Sequence, residues 1–239
     1  MPKISIIVVT YNAENVIEST LRSLEPYKNS VDVELFFKDG NSSDRTVSII
    51  KDVMAARNVV IHIDDDINVY DGMNQAVERV RGEFIIFINA GDELIKLDLD
   101  GLVDSSTCFY WDEARDSIKR DRATVAFLTR NTPCHQSVIY KKDEFLKFDV
   151  MYGLAADFEQ IVRIVKLRNE GLSLNSSIVK YANPGLSSEF FEPSLIQLFS
   201  QLTHRYKTIS NNFGMIERAM CIIFSITTVL RKLMKDILK

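Results

Sequence analysis

The first half of the chain alternates short apolar runs with segments whose apolar residues recur at helical spacing. The runs are "KISIIVV", "VELFFKDG", "NVVIHI" and "GEFIIFIN", and continuous apolar runs are typical of parallel strands buried on both faces. Between them, "AENVIESTLRSL", "SDRTVSIIKDVMAA" and "VYDGMNQAVERV" predict helices, the second with Ser43 or Asp44 as N-cap. This order predicts an α/β fold with a mainly parallel, Rossmann-like sheet flanked by helices.

The pattern changes after residue 94. "STCFYWDEARDSIKRDRATVAFLTRN" predicts antiparallel strands around a polar turn, and "AADFEQIVRIVKLRNEG" predicts a helix that ends at Gly171. "SSIVKYANPGLSS" predicts a strand followed by a Pro-Gly turn, and two further apolar-periodic segments follow to the C-terminus. We therefore expect one domain over residues 1–190 and a C-terminal helical extension over residues 191–239.

Charge is distributed unevenly along the chain. Residues 205–239 contain seven Lys or Arg and two acids, a net charge of +5, whereas the whole chain carries −4. An acidic body does not favour nucleic acid, and a basic apolar tail favours an anionic membrane surface or an acidic partner. The tail's apolar core, "AMCIIFSITTVL", is shorter than the roughly 20 residues that span a bilayer. It suits a helix lying in the membrane interface, or one packed on the domain or a second subunit.

The cysteines and the N-terminus indicate a cytosolic protein. The three cysteines are scattered and form no CxxC pair, so neither a zinc site nor a disulfide framework is indicated. The N-terminal run lacks a small-residue cleavage site and predicts a first strand instead of a signal peptide.

Polar residues follow each of the four predicted strands directly. Because ligands bind at the carboxyl ends of the strands in such sheets, we expect one shared site there. It would be rich in carboxylates and poor in Lys and Arg, so a phosphate ligand would need a divalent cation, which takes oxygen ligands. Each cluster taken singly also fits turn, cap or solvated-loop chemistry. The clusters are Thr10-Tyr11-Asn12, Asp39 to Asp44, Asp64-Asp65-Asp66 and Asn89 to Glu93.

These segments resemble family 2 glycosyltransferases, which have the GT-A fold. "VVTYNAENVIESTLRSL" and "KDGNSSDRT" are similar to the start of that family. "DDINVYDGMNQAVERVRGEFIIFINAGDEL" is similar to a bacterial subgroup that assembles capsule, exopolysaccharide and O-antigen. "PCHQSVIYKKDEF", "MYGLAADFEQIVRI" and "NPGLSS" resemble later stretches of the same subgroup, so the resemblance covers about residues 3–190 in order.

The resemblance implies an inverting glycosyltransferase that takes a sugar from a nucleotide-diphosphate-sugar donor and requires Mg²⁺ or Mn²⁺. The implied acceptor is a glycan, carried on a polyprenyl diphosphate at the cytoplasmic face of the cell membrane. Asp157 is the implied catalytic base and Asp92 the implied metal ligand, whereas Asp39 would accept a hydrogen bond from the nucleotide base. The other implied donor-binding residues are Thr10, Tyr11, Asn12, Asn41, Asp71, Asn74, Asn89, Ala90, Gly91, His135 and Gln136.

The residues themselves support Asp157 as a base. It follows two alanines at the start of a predicted helix, where small neighbours leave room for substrate and the helix N-terminus favours an anion. An inverting transfer needs a carboxylate to take the acceptor's proton, and the departing diphosphate needs positive charge. Position alone fits a helix N-cap equally well, and Glu159 is the alternative base. His135 taken singly also fits a buried structural histidine.

Four residues depart from the family's usual pattern. Arg45 and Asn68 stand where relatives commonly have Gly, and Asn89 and Gly91 stand where many have the outer acids of a DxD motif. The resembled bacterial subgroup itself commonly has this NxGD-type variant of the DxD motif. Two other functions remain open on these residues: a binding or scaffold protein that has lost catalysis, and a nucleotidyltransferase. The second would need a Gly-rich phosphate loop with a Lys near the N-terminus, and "VVTYNAEN" has neither.

Overall fold

The computed structural model describes residues 1–97, 99, 108–110, 122–129, 135–168, 171–174, 179–180 and 194–237. Strands and helices alternate through the first 89 residues, as the sequence predicts. The strands are β1 (Ile4–Thr10), β2 (Val33–Asp39), β3 (Val59–Ile63) and β4 (Phe84–Asn89). The helices between them are α1 (Ile17–Leu24), α2 (Thr46–Val53) and α3 (Val69–Val77).

The main sheet has eight strands in the order β3-β2-β1-β4-β8-β6-β9-β7. The first four are parallel, and the registers Thr10↔Asp39 and Val9↔Asn89 align their carboxyl ends along one edge, which we call the rim. β8 runs antiparallel to β4, and a small antiparallel pair joins β5 to β10. These later strands are β5 (Glu93–Leu94), β6 (Cys108–Tyr110), β7 (Arg122–Ala123), β8 (Val138–Lys141), β9 (Gly171–Leu174) and β10 (Val179–Lys180).

Core residues lie on both faces of this sheet. Ile4, Ile6 and Val8 of β1 pack towards α1 and α2, whereas Ile7 and Val9 pack towards α3 and the later helix α5 (Ala156–Arg168). The period-2 alternation of side chains sends successive residues to opposite faces, and both faces are covered. The continuous apolar run of β1 follows from that double burial, which confirms the mainly parallel α/β fold flanked by helices.

The structure corrects three element predictions. β6 and β7 do not pair with each other, because β9 lies between them and takes a hydrogen-bonding edge of each. Residues Val125–Leu128 form the short helix α4 and not a strand. Helix α5 ends at Arg168, and Gly171 opens β9. The predicted Pro-Gly turn after β10 lies outside the described residues.

The C-terminal part forms two helices, as predicted, α6 (Leu195–Asn212) and α7 (Met215–Ile237). Ser194 and Gln197 form a capping box at the start of α6. Arg205 anchors α6 to the domain: its Nη1 donates to Leu128 O at 2.7 Å, and its guanidinium lies 4.6 Å from the Phe158 ring centroid. Burial lowers the pKa of Arg205 to about 10. Within the described residues, no helix is both long and apolar enough to span a membrane.

Candidate functional site

Asp39 ties the first two strand ends of the rim together. Its side chain is fully buried. Oδ2 accepts hydrogen bonds from Thr10 Oγ1 and Ser42 Oγ, each at 2.7 Å, and Oδ1 accepts one from Ser42 N at 2.7 Å. An ionised carboxylate has about four acceptor sites, so most of this capacity serves the protein itself. Asp39 is therefore an anchor of the rim, and its contact with a nucleotide base stays a prediction.

Two exposed asparagines, Asn12 and Asn41, lie in the segments that follow β1 and β2. Asn12 and Asn41 have φ values of 47° and 65°, in the left-handed region that Asn tolerates better than most residues. Asn12 Oδ1 accepts from Ser43 N at 2.9 Å, and Asn41 Nδ2 donates to Asp65 Oδ1 at 3.1 Å. Tyr11 is 66% exposed beside them. The turn-forming and ligand-binding interpretations of this segment are thus compatible, because the same turns leave Tyr11 exposed at the rim.

Asn68, which stands where glycine is common in the family that the chain resembles, lies at the entry to α3. Asn68 is the N-cap of α3, and its Oδ1 accepts from Tyr70 N at 3.0 Å and from Asp71 N at 3.1 Å. Asp71 Oδ2 accepts from Ile67 N and from Gln75 Nε2, each at 3.0 Å. Asp71 therefore shapes the loop between β3 and α3, and its predicted contact with the nucleotide stays a prediction.

Asn74 makes its hydrogen bonds away from the rim residues described above. Its Nδ2 donates to Phe148 O at 2.9 Å, and its Oδ1 accepts from Phe148 N at 2.9 Å. Both ends of the amide thus bind one backbone residue 74 positions later in the chain. The structure assigns Asn74 the task of fixing the segment before α5, and its predicted donor contact stays untested.

The turn after β4 holds Asp92 in a nearly buried position. Asp92 N donates to Asn89 O at 3.0 Å, and Gly91 between them has φ 98°, which a residue with a side chain rarely adopts. Gly91 N donates to Thr20 Oγ1 at 2.8 Å, so α1 fixes the turn from behind. Gln136 Nε2 donates to Asp92 Oδ2 at 2.7 Å. The carboxylate is therefore held in one orientation.

Oxygen atoms suited to a hard cation lie at this turn. Asn89 Oδ1 is buried and accepts no hydrogen bond from any described residue, and Asn89 and Asp92 are joined by a backbone hydrogen bond within this turn. Among the described residues there is no cluster of three His, Cys, Asp or Glu that could hold a metal ion. The donor set fits a cation that takes one or two protein oxygens and completes its shell with phosphate oxygens and water, as Mg²⁺ commonly does.

The side chains of His135 and Asp157 contact each other, next to the contact between Gln136 and Asp92. His135 opens a 3₁₀ turn that leads into β8, and Asp157 lies in the first turn of α5. His135 Nδ1 is 3.3 Å from Asp157 Oδ2, and Asp157 Oδ1 accepts from Phe158 N at 2.7 Å. Asp157 keeps 17% of its side chain exposed. It is not the N-cap of α5, so the structure leaves room for a chemical role.

The other acids near α5 and α2 are committed to structural contacts. Both oxygens of Glu159 accept from Arg163 Nε, at 2.7 and 2.9 Å, and its side chain is 7% exposed against 17% for Asp157, so Glu159 is less accessible to a substrate hydroxyl. The N-cap of α2 is Arg45, so the predicted N-cap at Ser43 or Asp44 is wrong, because α2 begins later than predicted, at Thr46. Asp44 Oδ1 instead accepts from Thr46 N at 2.9 Å in the turn before the helix. Burial acts to raise the pKa of Asp44, but its hydrogen bonds from Thr46 and Glu14 outweigh burial and keep the pKa below its usual value.

Sequence analysis missed Lys38, which is fully buried at the end of β2. Its Nζ donates to Asp66 Oδ2 at 2.9 Å, to Asp64 O at 2.6 Å and to Asp39 O at 3.2 Å. The signal was present: a lysine inside the apolar run "VELFFKDG" must find an acidic partner if that strand is buried on both faces.

The known proteins that this chain is similar to are glycosyltransferases. The model of glycosyl transferase family 2 matches residues 5–106. The chain is 28% identical over 186 residues to a PGL/p-HBAD biosynthesis glycosyltransferase of Mycobacterium tuberculosis, covering 68% of this chain and 69% of that protein. It is 29% identical over 107 residues to the GalNAc(5)-diNAcBac-PP-undecaprenol beta-1,3-glucosyltransferase of Campylobacter jejuni, covering 43% of this chain and 34% of that protein.

Solved structures share the fold at low sequence identity. The mannosyltransferase PcManGT from Pyrobaculum calidifontis, in complex with GDP-Man and Mn²⁺, has a TM-score of 0.73 and 15% identity to this chain. The match covers 98% of this chain and 74% of that structure. The likeness in fold therefore extends over nearly the whole chain.

Proposed function

We propose that the chain is an inverting hexosyltransferase of glycosyl transferase family 2, whose model matches residues 5–106. It moves a sugar from a nucleotide-diphosphate-sugar to a lipid-linked glycan in the synthesis of a bacterial capsule, exopolysaccharide or O-antigen. One observation carries the proposal: consecutive residues, His135 and Gln136, contact Asp157 and Asp92, the two acids that the reaction needs. The relatives' names support a glycosyltransferase, and the Campylobacter relative's name includes a PP-undecaprenol acceptor.

The proposed step is a single displacement at the anomeric carbon of the donor sugar. The acceptor hydroxyl oxygen forms the new bond to that carbon while the bond from carbon to the diphosphate oxygen breaks. The electron pair of the broken bond stays with the diphosphate, and the acceptor's proton passes to the Asp157 carboxylate. Asp157 is partly exposed and held at both oxygens, so it is available to a substrate hydroxyl in a defined orientation.

Asp92 and Asn89 are the residues that would hold a divalent cation, Mg²⁺ or Mn²⁺, together with the donor diphosphate. When bound, the cation supplies positive charge that offsets the charge of the leaving diphosphate. The protein's own part is to keep the ligand oxygens in place, which Gln136 does for Asp92 and the α1 contacts do for the turn. The structural relative PcManGT binds GDP-Man and Mn²⁺, which supports this choice of donor class and metal.

The Asp157→Asn variant tests the catalytic assignment. The amide keeps the size of the side chain but cannot take the proton, so transfer falls by about 100-fold or more, the contribution of a positioned base. Donor affinity, measured by calorimetry with Mn²⁺, stays within about twofold of the parent because binding does not need the base. If the parent neither transfers nor hydrolyses any nucleotide sugar, the chain is a catalytically inactive binding protein instead.

We further propose that α7 attaches the enzyme to the cytoplasmic face of an anionic membrane, where a lipid-linked acceptor lies. The helix turns its apolar side outward, the reverse of an ordinary surface helix. Its inward side carries Cys221, which is buried, and Ser225 and Thr228, whose hydroxyls bond within the helix. The outward apolar residues are between 38% and 81% exposed, and they are Ile216, Ile222, Ile223, Ile226, Leu230, Leu233, Met234 and Ile237.

The charges beside this apolar face favour an anionic lipid surface over a second copy of the chain. α7 contains four basic residues, among them exposed Arg218, Arg231 and Lys235, against two acids. Each Lys or Arg near an anionic surface contributes about 1 kcal/mol of attraction, whereas two such helices facing each other would repel.

Vesicle sedimentation tests the membrane proposal. The parent should pellet with phosphatidylglycerol-containing vesicles and less with pure phosphatidylcholine. Replacing Ile223, Ile226 and Leu230 by Asp should abolish pelleting, whereas Val31→Asp, at an 88% exposed apolar position in the β1–β2 connection, should not. A parent that ignores vesicles but forms a dimer, which the triple substitution dissociates, would identify the face as a subunit interface.

A further inference from the structure

Two neighbouring side chains contact the two acids of the proposed reaction. In the 3₁₀ turn His135–Ser137, His135 Nδ1 lies 3.3 Å from Asp157 Oδ2, and Gln136 Nε2 donates to Asp92 Oδ2 at 2.7 Å. The turn leads directly into β8, which pairs with β4 through Ile86↔Ile139. β4 in turn carries the Asn89–Asp92 turn at its end. The turn His135–Ser137 therefore links the proposed base, Asp157, to the proposed metal ligand, Asp92.

We propose that His135 is a positioning residue that orients the Asp157 carboxylate for proton transfer, an inference that rests on the proposed function. With Asp157 ionised, the neutral histidine must carry its proton on Nδ1 to make a hydrogen bond there. Nδ1–H then holds Oδ2 while Phe158 N holds Oδ1. The carboxylate cannot rotate without losing one of these bonds, so its remaining lone pairs keep a fixed direction.

The surroundings of His135 hold its ring in place. The side chain is 10% exposed, and the Tyr70 ring packs edge-on against it at 6.2 Å between centroids. Nε2 is buried and bonds to no described residue. The resemblance implies a donor contact for His135, which would use Nε2 when donor binds, whereas positioning of the base uses Nδ1. The two roles therefore belong to different nitrogen atoms of one ring.

Two amide substitutions separate these roles. In His135→Asn the amide nitrogen occupies roughly the place of Nδ1, and in His135→Gln it reaches roughly the place of Nε2. If His135 positions Asp157, His135→Ala lowers kcat about 100-fold, Asn restores it to within about tenfold of the parent, and Gln does not. The dissociation constant of the donor with Mn²⁺, measured by calorimetry, changes by a smaller factor than kcat in His135→Ala, and it does not follow the order of kcat among the three variants.

The opposite pattern overturns the inference. Restoration by Gln and not by Asn, or donor affinity that falls as much as kcat, would show that His135 acts on the rate through the donor and not through Asp157. Equal loss in all three variants, with the parent's melting temperature retained, would show that the Nδ1 bond has no part in orienting the base. Should His135→Ala fail to fold, the Asn and Gln variants still give the comparison.

A double variant distinguishes failure of this inference from failure of the proposed function. In the Asp157→Asn background, His135→Ala should lower the remaining rate by less than about threefold, because the group that it positions is already inactive. A parent that transfers sugar and depends on Asp157, but shows full additivity with His135→Ala, refutes the positioning role alone. A parent without transferase activity refutes the proposed function.

Discussion

Lys38 Nζ lies 2.9 Å from Asp66 Oδ2, in a strand where the lysine is fully buried. The ammonium also donates to Asp64 O and Asp39 O, so all three of its donors are used. Gly40 and Gly72 border the same carboxylate, since a Cβ built on them would lie 2.8 and 3.0 Å from Asp66 Oδ2. Lys38 thus fastens the loop after β3 to the end of β2, beside the proposed donor site.

The first prediction concerns that ion pair. Lys38→Met removes the charge but keeps most of the chain length, and it leaves Asp66, whose side chain is 13% exposed, without its partner. We expect the free energy of unfolding to fall by about 3 kcal/mol, the low end for breaking a buried pair, as measured by urea denaturation. Donor affinity should fall as well, because the loop loses its anchor.

Controls for Lys38 come from the same chain. Lys51→Met, at an exposed position of α2, should change the free energy of unfolding by less than about 0.5 kcal/mol. In Lys38→Met/Asp66→Leu, where no charge is left unpaired, stability should recover in part. A single Lys38→Met variant as stable as Lys51→Met would contradict the structural role.

The second prediction concerns the N-cap of α3. Asn68→Ala removes the acceptor for Tyr70 N and Asp71 N and should cost about 1 kcal/mol of unfolding free energy. Asn68→Gly restores the residue that the family commonly has, and it should cost only a few tenths, since glycine is tolerated at N-caps. Thermal unfolding of the matched pair checks the order. Equal melting temperatures for the two variants would show that the cap contributes nothing.

The sequence predicted those parts of the fold that depend on residues close together in the chain, and it did not predict those that depend on distant residues. β1 to β4 and the helices between them follow from periodicity within about ten residues, and the rim follows from their parallel order. The separation of β6 from β7 could not be predicted, because the strand between them, β9, comes about 50 residues later in the chain. The bond from Asn74 to Phe148 spans 74 residues and is equally invisible to local patterns.

The residues of the candidate site could likewise be predicted in part, whereas the contacts between them could not. Local periodicity places Asp92 after β4 and Asp157 at the start of a helix, but it was the resemblance to a known family that singled out these two acids. That His135 and Gln136 reach those acids depends on β8 inserting beside β4, which no local pattern encodes. Asp39 shows the converse: its position at the end of β2 is as predicted, yet its carboxylate is used by Thr10 and Ser42.

The third prediction concerns acid stability. Glu34 is 2% exposed; burial acts to raise its pKa, but hydrogen bonds from Arg81 and Ser5 and the charge of Arg81 outweigh burial and lower it. Because the folded pKa lies below the unfolded one, the ionised carboxylate stabilises the protein near neutral pH, and this contribution disappears as the pH falls below about 4.5. Glu34→Gln should therefore destabilise strongly at pH 7 and progressively less in acid.

The measurement for Glu34 is the free energy of unfolding of parent and variant between pH 7 and about pH 3. Glu83→Gln, at an exposed position near the same strand ends, controls for the loss of one carboxylate. A gap between parent and Glu34→Gln that stays constant on acidification would refute the linkage.

The fourth prediction concerns the cation. Calorimetry should detect Mn²⁺ binding mainly in the presence of the donor, because Asp92 and Asn89 offer few ligand oxygens without the diphosphate. Asp92→Asn should abolish that binding. Gln136→Leu, which removes the hydrogen bond to Asp92 Oδ2 but leaves the carboxylate, should weaken it by about 10- to 100-fold, the usual effect of losing a group that orients a ligand. Turnover that continues unimpaired in EDTA would show that the diphosphate leaves without a metal.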